Sequence, residues 1–197
     1  MKENQQAPNY NLGKCKNRSA LASVIPHKGI YPTMPNSVFL ADGARVIGDV
    51  VLGENVSIWF NSIVRGDVHY IHIGDNTNIQ DGACIHCTYK KNPTIIGKNV
   101  SIAHNATIHG CVIEDDCLIG MGAIILDKAV IGAGSLVAAG ALVSPGTIIP
   151  ERSLVLGAPA KVIRKVTDEE FASFAATTQR YLEYTKGYDF NSLPFRG

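Results

Sequence analysis

Residues 73–113 read IGDNTNIQDGACIHCTYKKNPTIIGKNVSIAHNATIHGCVI. An apolar residue recurs here every six positions: Ile73, Ile79 and Ile85, then, after five inserted residues, Ile96, Ile102 and Ile108. The ladder extends in both directions. Upstream it runs through Leu40, Val46, Leu52, Ile58 and Val64, with a three-residue slip before Ile73. Downstream it drops one residue and continues through Ile113, Ile119, Ile125, Ile131, Val137, Val143, Ile149 and Val155. Four places after nearly every ladder residue stands a small or β-branched side chain, as at Ala44, Thr77, Ala83, Ala106, Ala123 and Ser135.

Neither the helix period of 3.6 nor the strand period of 2 accounts for this spacing. A period of six is that of a parallel β-solenoid, in which each hexad supplies one short strand and one corner. Three hexads close a triangular coil of about 18 residues, and coils stack at about 4.8 Å. Glycine follows the ladder residue at 53, 74, 97, 120 and 132, where crowding or a positive φ excludes a larger side chain. A sandwich of short strands would show irregular turn spacing instead. The predicted fold is all-β, a parallel β-helix over residues 31–166, with an N-terminal arm at 1–30 and a C-terminal helix and tail at 167–197.

The helix begins at TDEE. Thr167 and Glu170 form a capping box, and Asp168 and Glu169 suit the positive end of the helix dipole. Phe171, Phe174, Thr178 and Tyr181 make one stripe at helical spacing that is expected to pack on the solenoid, and Gly187 is the expected stop.

Three histidines sit at fixed phases of the ladder. His86 follows Ile85 and His109 follows Ile108; net of the insertion they are one coil apart, so they are expected on one face, one above the other. Arg65 follows Val64 in the same phase one coil below. His104 lies two places after Ile102, on the preceding face; it is not expected to reach the other two easily within one chain, and a neighbouring subunit packed around a three-fold axis could supply it. Three imidazoles with one open position make a catalytic zinc site, whose bound water has a pKa near 7. Gln80, one hexad before His86, is the candidate to orient that water. Arg65, Asp67 and Asp81 are candidates for ion pairs at the contact between subunits. His69 and His72, in the slip before Ile73, read as solvated loop residues, and Cys84 as a packing thiol.

Composition narrows the rest. At 197 residues with 46% hydrophobic content and net charge +1, the chain reads as one domain with no call for a nucleic acid or other polyanion. No apolar run is long enough to span a bilayer. Five cysteines, at 15, 84, 87, 111 and 117, read as reduced thiols of a cytoplasmic protein. The polar arm lacks acids between Glu3 and Asp42, a faint likeness to a transit peptide, and is expected to be unstructured or to clasp the surface.

The stretch IVRGDVHYIHIGDNTNIQDGACIH, followed by PTIIGKNVSIAHNATIHGCVIEDDCLIGMGAIILDKAVIGAGSLV, resembles the γ-class carbonic anhydrase family, over roughly residues 30–187. The resemblance implies a left-handed β-helix, a homotrimer, and zinc sites at the subunit interfaces where zinc hydroxide hydrates CO2 to bicarbonate. It implies His86, His104 and His109 as metal ligands, with His104 from the adjacent subunit, and Arg65, Asp67, Asn78, Gln80 and Asp81 as site residues. Imidazole ligands suit zinc, and also iron, cobalt or nickel. The acidic proton-shuttling loops of active members have no counterpart here. Val68 follows Asp67, and residues 87–93 carry no carboxylate, which leaves buffer, water or Tyr181 to move the proton. Two other classes fit a hexapeptide solenoid: a CoA-dependent acyltransferase or acyl-CoA thioesterase, suggested by LGAPAKVIR at 156–164, and a non-catalytic metal-stapled scaffold.

Overall fold

A computed structural model describes residues 17–190. Its strands stack as a parallel β-solenoid with one C-terminal helix, Asp168–Lys186. One face carries Phe39–Leu40, Ser57–Ile58, Asn78–Ile79, Ser101–Ile102, Leu118–Ile119, Leu136–Val137 and Ser153–Gly157. A second carries Cys84–His86, Thr107–His109, Ile124–Ile125 and Leu142–Val143. The third carries Thr94–Ile96, Val112–Ile113, Val130–Ile131 and Ile148–Ile149. Two longer strands, Arg45–Leu52 and Ile63–Ile73, turn the corner between the second and third faces unbroken.

The ladder residues fill the interior. Ile79, Ile102, Ile119 and Val137 stack at successive levels and are fully excluded from water, as are Ala83, Ala106 and Ala123 at the small positions. The corners divide between two kinds of residue. The glycines right after the ladder residue serve close approach: a Cβ on Gly74 would meet the Gly97 carbonyl carbon at 2.6 Å. Left-handed backbone falls two residues later, where Asn55, Asn61, Asn76, Asn99 and Asn105 have φ of 55° to 59° and Gly43, Gly82, Gly122, Gly134, Gly140 and Gly146 have φ of 65° to 72°. Asparagine tolerates that conformation better than most residues. Along one corner the amides bond in sequence, Asn55 to Asn76 at 3.1 Å, Asn76 to Asn99 at 3.1 Å, and Asn99 to Asp116 at 3.0 Å.

The three-residue slip is a bulge. Gly48 pairs with Gly66 and Val50 with Ile71, so residues 67–70 project opposite Asp49 alone. The upstream segment joins the sheet, since Ser23–Ile25 runs parallel to Arg45–Ile47. Of the arm expected at 1–30, residues 17–30 are described and Arg18 also bridges to Leu40, while residues 1–16 lie outside those described. Downstream, Ser153–Gly157 and Ala160–Lys165 form an antiparallel hairpin that ends the stack.

The helix starts as its sequence dictates. The Thr167 hydroxyl accepts from Glu170 N–H, and the Glu170 carboxylate accepts from Thr167 N–H at 2.9 Å. Phe174 and Thr178 are buried against the solenoid, and Tyr181 packs edge-on to Trp59 with centroids 5.1 Å apart. Gly187 caps the helix with right-handed backbone, its N–H reaching the Tyr184 carbonyl. Among the described residues, no helix is long and apolar enough to cross a membrane.

Deleting part of a ladder side chain leaves a void that neighbouring coils cannot close without losing register. Ile119→Ala is expected to destabilise the protein by about 2–5 kcal/mol. Thr167→Ala, which removes only the cap, is expected to cost about 1 kcal/mol. Urea unfolding of both variants checks the ranking.

Candidate metal centre

His86 and His109 close their strands and lie opposite each other in the parallel register Ile85 to Ile108, His86 to His109. The ring centroids are 5.2 Å apart, and His86 Nδ1 stands 3.2 Å from His109 Nε2. Buried Thr94 pins the backbone at both positions. Its hydroxyl donates to the His86 carbonyl and accepts from Gly110 N–H at 2.9 Å.

A carboxylate holds the far side of each predicted ligand. Asp67 Oδ1 lies 2.9 Å from His86 Nε2, and Asp67 Oδ2 accepts from Arg65 at 2.7 Å. Asp127 Oδ1 lies 2.6 Å from His109 Nδ1, and Asp127 Oδ2 accepts from the Thr88 hydroxyl at 2.5 Å. Asp81 Oδ2 lies 2.8 Å from His104 Nδ1. These are the three histidine–carboxylate pairs among the described residues. His69 differs: its Nδ1 accepts from Tyr70 N–H at 2.9 Å. Burial pushes the Asp67 carboxyl up, but hydrogen bonds from His86 and Arg65 outweigh it and hold the group below the usual carboxylate value. Asp127 follows the same balance, with Thr88 and His109 as the donors. Both depressed acids therefore stay ionised above the unfolded value near 3.8, and what they contribute to stability is lost only as pH falls below it.

Ionised carboxylates only accept. Each neutral imidazole therefore keeps its proton on the nitrogen that faces the acid. A lone pair then remains on His86 Nδ1 and another on His109 Nε2, 3.2 Å apart with no hydrogen between them. Such a pair repels unless a cation is shared. Two nitrogens at about 2.0–2.1 Å from one tetrahedral zinc ion lie about 3.3 Å apart. Spacing, donor type and the carboxylate behind each ring all fit a divalent metal held by imidazole.

His104 stands on another face, two residues past Ser101–Ile102. It lines a groove of about 350 Å³ with Gln80, Met121 and Tyr181. Gln80 shares the phase of His86 but belongs to the preceding hexad, so it faces the His104 groove, and its Nε2 donates to Asn78 Oδ1 at 3.0 Å. Within the chain, Arg65 pairs with Asp67, which also holds His86, and Asp81 holds His104. Burial, then the charge of Asp81, pushes the Tyr181 hydroxyl up to about 12. Within one chain, no three His, Cys, Asp or Glu side chains among the described residues gather into a metal cage.

Asp127, Thr88 and Thr94 are absent from the sequence reading. One signal for Asp127 was present: Gly110 directly follows a candidate ligand. A Cβ on Gly110 would meet Asp127 Oδ1 at 2.4 Å, so the missing side chain is the space through which the acid reaches His109. Cys84, Cys87, Cys111 and Cys117 are free, and burial pushes Cys111 and Cys117 up to about 12. Cys15 lies outside the described residues.

The family described as bacterial transferase hexapeptide (six repeats) matches residues 110–145. A probable carbonic anhydrase of Methanocaldococcus jannaschii is 55% identical over 150 residues, 76% of this chain and 94% of that protein. The mitochondrial gamma carbonic anhydrase 2 of Arabidopsis thaliana is 44% identical over 156 residues, 77% of this chain, which spans 56% of that longer protein. Among solved structures, a hexapeptide transferase family protein from Anaplasma phagocytophilum is 39% identical with a TM-score of 0.80, covering 84% of this chain and 97% of its own. Identity at this level across nearly the whole archaeal relative, on the same hexad framework, means that the chain belongs to the γ-class carbonic anhydrase family.

Proposed function

We propose that the protein is a zinc-dependent carbonic anhydrase, converting CO2 and water to bicarbonate and a proton at sites shared between the subunits of a homotrimer. The observation that carries this reading is the 3.2 Å separation of His86 Nδ1 and His109 Nε2, each ring with its far nitrogen on a carboxylate. His86 and His109 of one subunit would hold the metal together with His104 of a second copy. When bound, zinc supplies a water activated for attack at neutral pH.

The chain's own groups do the rest. Asp67 and Asp127 keep both rings in the tautomer that offers a lone pair to the metal. Arg65 neutralises Asp67, so that this acid orients His86 without taking its proton. Asp81 does the same for His104 Nδ1 and turns Nε2 outward. Gln80, entering on the His104 face, accepts a hydrogen bond from the reacting water at Oε1 and leaves that oxygen's lone pair free for carbon. Tyr181, with its hydroxyl pushed up to about 12, keeps its proton at neutral pH and acts as a donor, not a relay. The proton therefore departs to solvent or buffer. An acyltransferase would leave the paired rings and their two acids without a use. Free thiols accord with a reducing, cytoplasmic location.

Freshly purified protein is expected to carry about one metal per chain by elemental analysis, and His86→Ala to lose both metal and CO2 hydration in stopped flow. Shared sites make a sharper forecast: His86→Ala and His104→Ala subunits, each inactive alone, regain about a quarter of the sites when unfolded and reassembled together at equal amounts. No recovery in the mixture means that His104 does not come from a neighbour. Asp127→Asn is expected to weaken metal binding by about 10–100-fold, read by competition with a chelating dye. With no acid in the 87–93 loop, the hydration rate should rise with imidazole buffer concentration at fixed pH; a rate indifferent to buffer places a proton relay within the protein.

A further inference from the structure

Four buried polar side chains join the C-terminal helix to Gln80. Gln80 Nε2 donates to Asn78 Oδ1 at 3.0 Å, and Asn78 Nδ2 donates to Ser101 Oγ at 2.9 Å. Ser101 Oγ lies 3.2 Å from Thr178 Oγ1, which donates to the Asn99 backbone carbonyl at 3.2 Å. None of the four is more than 4% exposed.

The far end decides the sense of the whole series. A backbone carbonyl only accepts, so the single hydroxyl proton of Thr178 goes to Asn99. Ser101 must then donate in its contact with Thr178. With that proton engaged, Ser101 can only accept from Asn78. Asn78 is thereby fixed with Nδ2 towards Ser101 and Oδ1 towards Gln80. Gln80 turns Nε2 inward, and Oε1 is the atom left for the groove it shares with His104 and Tyr181.

Thr178 departs from the ordinary habit of a threonine within a helix. Its neighbour Thr177 donates to the Ser173 carbonyl one turn back at 3.2 Å, the usual local bond. Thr178 instead reaches across to Ser101 and Asn99, 77 and 79 positions away. A buried hydroxyl left without a partner is costly, so this direction is held firmly.

We infer that Thr178 is a positioning residue for hydration, acting through Ser101 and Asn78 to make Gln80 present its carbonyl oxygen to the reacting water. An NH2 group in that place would donate to the oxygen lone pair that must reach carbon. The inference rests on the function proposed above.

Thr178→Val keeps the side-chain shape and removes the proton. Ser101 is then free to turn, and both amides lose their fixed sense. The readout is the side-chain amide proton pair of Gln80 in NMR spectra of the full chain, assigned by its loss in Gln80→Ala. One slowly exchanging pair in the wild type is expected to double or broaden in Thr178→Val. The kcat for CO2 hydration is expected to fall about tenfold at unchanged metal content. Thr178→Ser should restore both. Ser101→Ala cuts the same connection inside the solenoid, and it carries the test if the valine variant does not fold. Gln80 signals unchanged in both variants would overturn the inference. The NMR reading needs no turnover, so a wild-type protein without hydratase activity rejects the proposed function while the Gln80 signals still decide the Thr178–Gln80 connection.

Discussion

Ile85 lies against Ile108, and Ile108 against Ile125, each directly opposite the next across a parallel strand pair. A coil of this solenoid has few apolar side chains of its own, and it buries them only if the coils above and below stack in register. A slip of one residue would turn the whole row outward. The register that packs the isoleucines also fixes the residue that follows each one. His86 over His109 is thus set by the core itself, at the spacing that adjacent strands impose. A metal site built this way needs no dedicated loop to bring two ligands together.

Two acids convert that stacking into chemistry. Two rings one level apart could share a proton, stack on an aromatic neighbour or face solvent. Asp67 and Asp127 close off the first choice by claiming the far nitrogen of each ring. They come from different levels and different devices. Asp67 sits on the bulge made by the three-residue slip, tied to Arg65; Asp127 comes from the coil above, over the gap left by Gly110 and tied to Thr88 in the 87–93 insertion. The slip and the insertion in the repeat therefore each end on a histidine. A strictly regular hexad ladder would place the rings but not their acids.

What the sequence made legible follows from this. The ladder and the phase of His86 and His109 are periodic, and periodicity is visible without coordinates. The capping box at Thr167 is local and equally visible. Gln80 shows the limit: its phase is right, but one hexad is one face, so the same phase one hexad earlier lands on the His104 side. The corner glycines split the same way: Gly74, right after the ladder residue, answers to crowding, while left-handed backbone falls two places later and is shared by Asn55, Asn76 and Asn99 with Gly82, Gly122 and Gly134. Asp127 and Thr178 lie beyond any pattern of this kind. The first depends on a side chain that is absent at Gly110, and the second on a helix folding back across most of the solenoid.

The edges of the site show how this chain handles the charge its reaction would produce. A pocket of about 460 Å³ beside His109 is lined by Lys91 and Lys128 together with Thr88, Asn92 and Asp127. The carboxylates nearest the rings are already engaged, Asp127 with His109 and Thr88, Asp67 with His86 and Arg65. An ammonium group cannot pick up a proton, and at neutral pH it offers a bicarbonate ion attraction instead. Acids placed there would do the reverse, carrying protons out while repelling the anion. The rim of this site therefore favours holding bicarbonate over exporting the proton, so on the proposed reading proton release, not attack on carbon, is the step its residues leave least assisted.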